Sequence, residues 1–153
     1  MNDTSYDIRT LNSLIATTLD SVDGYTQAAD DENSGRFGAM FRSRAGERRG
    51  VASSLQAEVA RLGGNPEDDG TVLAGAHRVF LSLKAAVTGA DEQAIVNEVE
   101  RGEDHIKAKF EDAINDTDLS AEVRALIERG YGSVRAGHDE MRDLKLTLEA
   151  TAS

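Results

Sequence analysis

The sequence predicts an all-α fold, a four-helix bundle with one further short helix in its longest connection. Three observations carry that prediction. Apolar residues recur at i, i+3, i+4 and i+7 along four stretches of about 25–30 residues each. No alternating run of β-branched residues extends beyond a few positions. Glycine, asparagine, aspartate and proline gather in two short groups and one long one, which punctuate a single domain over residues 1–153.

The first helix is expected over about residues 7–31. Ile8, Leu11, Ile15, Val22 and Ala29 form its buried stripe, with Leu14, Leu19 and Tyr25 at the edges and Thr18 and Thr26 pointing inward. Asp20 falls nearly opposite that stripe and Asp23 on its flank, so the helix offers the core hydroxyls but no clear carboxylate. Asn33-Ser34-Gly35 is a turn, with Asn33 or Ser34 as the cap of a second helix over about 35–62. Its apolar face carries Phe37, Phe41, Val51, Leu55, Val59 and Leu62. Two arginines interrupt that face: Arg44 is i+3 from Phe41, and Arg48 is i−3 from Val51. Both stems begin on the core side, and Glu47 and Glu58 lie on one flank.

Gly63-Gly64-Asn65-Pro66 ends the second helix, because glycine supplies a left-handed residue and proline prevents continuation. A short helix over about 71–87 follows, burying Val72, Ala76, Val79, Phe80, Leu83 and Val87, with His77 on its flank. Asp91 caps the next helix, expected over about 91–115. Its stripe is Ile95, Val99, Ile106, Phe110 and Ala113, and Gly102 and Glu103 fall inside it. A carboxylate aimed at a core must be paired, protonated or bound to a cation, since unpaired burial costs too much. His105 faces away, and Glu98, Glu100 and Asp104 read mostly as a solvated face. Beyond Asp116-Thr117-Asp118 the last helix spans about 120–149, with Val123, Ile127, Gly130, Val134, His138, Met141 and Leu148 on its stripe.

Short turns make the first two and the last two helices antiparallel neighbours. The long connection returns the chain to the opposite end, which gives up-down-down-up order. At 1.5 Å per residue, Val22, Arg44, Glu103 and His138 all fall about 12–18 Å from the end that holds the first turn. A polar layer of Tyr25, Arg44, Arg48, Glu103 and His138 is therefore expected at mid-bundle.

Charge and composition exclude several functions. A net charge of −11 argues against nucleic acid and anionic membranes as partners. The absence of cysteine removes disulfides, thiolate zinc sites and cysteine nucleophiles. Residues Met1 to Asp7 have neither the basic nor the apolar region of a secretory signal, and no run approaches the ~18 apolar residues that span a membrane. A cytoplasmic location is expected. With no nucleophile–base pair and no phosphate-binding glycine loop, the sequence leans away from an enzyme.

The segments Asp20 with Gly24-Tyr25, Leu62-Gly63-Gly64-Asn65-Pro66, Ala76-His77-Arg78, Leu83-Lys84-Ala85-Ala86-Val87-Thr88-Gly89 and Glu100-Arg101-Gly102-Glu103-Asp104 carry a resemblance. Together they resemble a bacterial, mostly proteobacterial family of ferritin-like four-helix-bundle proteins catalogued as a domain of unknown function. The likeness runs from about Ile8 to Leu144 and implies a ferritin-like fold. Through the wider superfamily it implies a stress-associated role, but it brings no catalytic residues. Di-iron members of that superfamily set a Glu on each of two helices and a Glu-x-x-His pair on each of the others. Here Glu47 is followed three residues later by Gly50, and Arg135 stands three residues before His138. Arg44 and Arg48 put positive charge where metal cations would sit, so a full di-iron centre is not expected.

Glu103 is read first as the buried partner of Arg44 or Arg48, whose planar guanidinium suits a carboxylate. On that reading no cofactor is expected, and the protein is a non-catalytic binding or assembly protein with a salt-bridged core. Its partner would be another protein or further copies of itself. The alternative is a metal-binding protein or oxidase that holds iron or zinc in the core with Glu103, His138, Glu47 and Glu100.

Overall fold

The computed structural model describes residues 4–30, 32–68 and 92–152. The short helix expected over 71–87, His77 on its flank and the Asp91 cap lie outside them. Four helices stand out: α1 (Thr4–Asp30), α2 (Gly38–Arg61), α3 (Glu92–Ile114) and α4 (Ala121–Ala152). No strand forms among the described residues, and none of their helices is long and apolar enough to cross a membrane.

α1 packs chiefly on α2 and α3 chiefly on α4, while α1–α3 and α2–α4 contacts close a square. The α2–α3 and α1–α4 pairs are thus its diagonals. Three contacts fix the directions. Arg36 Nε, in the turn after α1, lies 3.5 Å from Glu92 Oε2 at the start of α3. The Tyr6 hydroxyl, near the start of α1, donates to Asp116 just beyond the end of α3. Asp7 Oδ1 accepts from the Ser120 N–H at 3.1 Å, immediately before α4. α1 therefore rises, α2 and α3 descend, and α4 rises, which is the up-down-down-up order of a four-helix bundle.

The first turn departs from expectation. Residues Glu32–Phe37 form 3₁₀ turns broken by Gly35 at φ 52°. α2 then begins at Gly38 with Phe37 as its N-cap, and no side chain caps it. The left-handed Gly35 interrupts the path between the turn and α2, so neither Asn33 nor Ser34 stands where a cap must. The other end of α2 follows the glycine logic. Gly63 sits at φ 86°; its N–H donates to Ala60 O at 3.0 Å and that of Gly64 to Val59 O at 2.9 Å. These are the paired bonds of a Schellman motif. Gly64 also presses on α1, since a Cβ there would lie 2.9 Å from side-chain carbons of Ile8. Both ends of the Asn12 side-chain amide hold the loop beyond, donating to Asn65 O and accepting from Glu67 N.

Two apolar clusters fill the interior. One, toward the α1–α2 turn, gathers Tyr25, Phe41, Ile95, Val99 and Met141. The other, toward the α3–α4 turn, gathers Leu11, Ile15, Leu55, Ile106, Phe110 and Ile127. α1 is buried over a wider arc than one apolar stripe. Thr17, Asp20, Gly24 and Ala28, at helical spacing, make a second buried row beside it. Asp20 is thus 1% exposed, where its angle to the stripe predicted solvent.

Candidate functional site

Between the two clusters lies a polar layer to which every helix contributes. Arg48 on α2 and Glu103 on α3 meet across the diagonal, both side chains 0% exposed. The pairing is bidentate. Arg48 Nη1 donates to Glu103 Oε1 and Nη2 to Oε2, each at 2.6 Å. Nη1 also donates to Ser21 Oγ of α1 at 2.6 Å. Tyr25, one turn along α1, places its ring 5.6 Å from the guanidinium carbon. α4 supplies Gly137, at which a Cβ would come within 2.5 Å of Arg48 Nη2 and 2.7 Å of Glu103 Oε2. Only a residue without a side chain lets α4 approach this pair.

The electrostatics follow from that geometry. Burial alone works to lower the Arg48 pKa, but the charge and hydrogen bonds of Glu103 outweigh it and raise the value. Burial, with the Glu103 charge adding to it, holds the Tyr25 phenol well above its ordinary value, against the opposing pull of Arg48 and Arg44. The Arg48 guanidinium is therefore held in its charged form and the Tyr25 phenol beside it in its neutral form.

The other residues singled out by sequence lie around this layer rather than in it. Arg44, a turn before Arg48, reaches the α2–α4 edge. There its Nε donates to Glu140 Oε1 at 2.9 Å and its Nη1 to Glu47 at 3.2 Å. Glu47 also accepts from Ser133 Oγ at 2.9 Å. Along the same edge an open groove of about 440 Å³ is floored by Val51, Leu55, Leu126 and Gly130, with Glu47 and Arg129 at its rim. Thr18 and Thr26, expected to point inward, bond the carbonyls of Leu14 and Val22 one turn back rather than the Arg48–Glu103 pair. Short hydroxyl side chains in a helix have that bond within reach, so Ser21 takes their place.

His138 is 9% exposed and turns away from Glu103. Its Nε2 lies 2.6 Å from Asp104 Oδ1 and its Nδ1 3.2 Å from Asp139 Oδ1. Glu100, one turn before Asp104, has Lys145 Nζ at 3.6 Å from its Oε2. Burial, and then the Asp104 charge, raise the Glu100 pKa above its usual value despite the Lys145 and His138 charges. The four residues expected to share a metal are thus dispersed: Glu103 to Arg48, Glu47 to Arg44 and Ser133, and Glu100 with His138 to the α3–α4 edge. At that edge one ligand atom each from Glu100, Asp104 and His138 lies within 4.8 Å of the others, a spacing that can hold a metal ion. Sequence reasoning passed over Ser21, Gly137, Asp104 and Asp139. The signal for Asp104 was its i+4 spacing from Glu100, which puts both carboxylates on one helix face.

A family model described as Domain of unknown function (DUF2383) matches residues 7–116. The match covers well over half of the chain, which belongs to that family. It ends after α3, short of the Leu144 to which the resemblance was expected to run, so Gly137 and His138 lie beyond it. Among curated proteins none matches.

Proposed function

We propose that this protein is a non-catalytic binding or assembly protein whose interior is closed by the Arg48–Glu103 pair. One observation supports this above the rest: Glu103, the fully buried carboxylate of α3, has both oxygens occupied by a guanidinium that is itself fully buried. A metal centre or oxidase in the core would need Glu103 free, and would have to seat its cations beside fixed positive charge. The groove along α2 and α4, apolar below and charged at its rim, supports a role carried on the surface. The cytoplasmic location expected from the sequence and the stress-associated setting implied by the ferritin-like resemblance belong to the same proposal.

Ferrous iron added anaerobically and then exposed to oxygen tests the closed core. Iron oxidation at the rate of buffer alone, unchanged by Glu103→Gln, is the expected result. Oxidation faster than buffer that depends on Glu103 overturns it. Sedimentation velocity over a hundredfold concentration range then separates the two surface roles. Species heavier than one chain mean self-assembly, and a single light species directs the search to a different protein.

A further inference from the structure

We propose a separate divalent metal site on the α3–α4 edge, formed by Glu100, Asp104 and His138 and sized for a single zinc or ferrous ion. It goes beyond the closed-core reading and uses none of the atoms that close the core.

Glu100 and Asp104 are four residues apart on α3 and so project from one face, while His138 arrives from the antiparallel α4. Their ligand atoms already lie within 4.8 Å of one another. Ligands about 2.0–2.2 Å from a tetrahedral zinc ion sit about 3.3–3.6 Å apart, so closing the shell asks each side chain to move by about an ångström, within reach of side-chain rotation. The donor set of one imidazole and two carboxylates suits zinc or ferrous iron better than magnesium or calcium, which favour oxygen alone.

His138 is arranged as a metal-bound imidazole is. Its ring is nine-tenths buried, Asp139 holds Nδ1, and Nε2 points at Asp104 Oδ1. A carboxylate on the far nitrogen fixes the tautomer and turns the other lone pair toward the ion. A metal bound here takes the place between Nε2 and the Asp104 carboxylate, 2.6 Å apart, and needs the Nε2 lone pair free of a proton. Lys145, 3.6 Å from Glu100, supplies the local positive charge that an incoming ion must displace.

Zinc(II) titration of the whole chain by calorimetry is the test, with cobalt(II) absorption as a second probe. One saturable zinc per chain is expected. His138→Ala, Asp104→Asn and Glu100→Gln should each weaken it about tenfold or more, and Asp139→Asn should weaken it by about 10–100-fold, as loss of an orienting partner does. Lys145→Met should strengthen it several-fold, while Glu47→Gln, at the opposite edge of α4, should leave it unchanged. Should a variant not fold, the native chain still decides: zinc at one equivalent shifts the His138 Nε2 resonance and leaves that of His105 in place. Weak, non-saturable uptake, equal losses in Glu47→Gln, or an unmoved His138 resonance each overturns the proposal.

Discussion

Gly137→Ala should destabilise this protein, although the same change at neighbouring glycines should stabilise it. Within a helix, Gly→Ala contributes up to about 1 kcal/mol of stability through propensity alone. Gly46, Gly50 and Gly132 meet nothing within 4 Å of an added Cβ, so alanine at each should deliver that gain. At Gly137 the added carbon would lie 2.5 Å from Arg48 Nη2 and 2.7 Å from Glu103 Oε2, where ordinary contact begins at 3.4 Å. The guanidinium must therefore retreat by about 0.9 Å and the carboxylate by about 0.7 Å. An exposed arginine would swing aside at little cost. This one is held by Ser21 and Glu103 at 2.6 Å and lies against the Tyr25 ring. Overpacking of a filled core costs about 1–3 kcal/mol, and stretching a buried ion pair adds to it. We expect a net loss of about 1–3 kcal/mol, read as a lower urea midpoint at unchanged slope by circular dichroism at 222 nm. In an Arg48→Ala background the clashing nitrogen is gone, so the penalty should shrink by more than 1 kcal/mol, a coupling that a double-mutant cycle measures. Equal stabilisation by Gly137→Ala and Gly132→Ala would refute the close approach of α4 to the pair.

Three further changes probe the rest of the frame. Glu103→Gln strands the buried Arg48 charge and should cost about 3–5 kcal/mol; replacing both partners together by leucine and methionine should recover most of it, and a double variant no more stable than Glu103→Gln alone counts against the pair. Gly64→Ala would bring a Cβ to 2.9 Å from Ile8, so thermal unfolding should move down by several degrees, and an unchanged midpoint contradicts that contact. The Tyr6 hydrogen bond holds the Asp116 pKa below its ordinary 3.8, so its stabilising effect is present above that pH and fades as pH falls through the depressed folded value. Tyr6→Phe should therefore lower stability at pH 7 and converge with the parent only at a pH below the depressed folded value; an offset that stays constant down to that acid limit assigns the loss to packing instead.

How much of this was legible in the sequence depends on which direction a residue was asked about. Helix existence came from periodicity, which survives errors of one or two positions. Boundaries did not, because Gly35 adopts a left-handed conformation that no apolar pattern announces. Glu103 was legible because a charge inside an apolar stripe is conspicuous and must be answered. The choice between Arg44 and Arg48 was not, since both sit within one turn on the same face. The structure separates them: Arg48 spans the α2–α3 diagonal, and Arg44 reaches sideways to Glu140. Asp20 was misplaced for a different reason. A polar row at helical spacing reads as a wet face, and only packing makes Thr17, Asp20 and Gly24 a buried one.

Consecutive residues on a helix differ by about 100° in direction, and this bundle uses that step twice at the same depth. On α3, Glu103 faces the diagonal and Asp104 faces the edge; on α4, Gly137 faces the diagonal and His138 the edge. One register of α3 against α4 thus sets both groups, since the contact that admits Gly137 to the ion pair also brings His138 Nε2 to Asp104. A buried ion pair adds little net stability over well-packed apolar residues, and an apolar layer would tolerate sliding or rotation of α4. The bidentate pair does not, because its oxygens and nitrogens leave no room for any residue but glycine in front of them. Its physical consequence is a fixed rotation of α4, and the edge cluster of Glu100, Asp104 and His138 takes its geometry from that rotation.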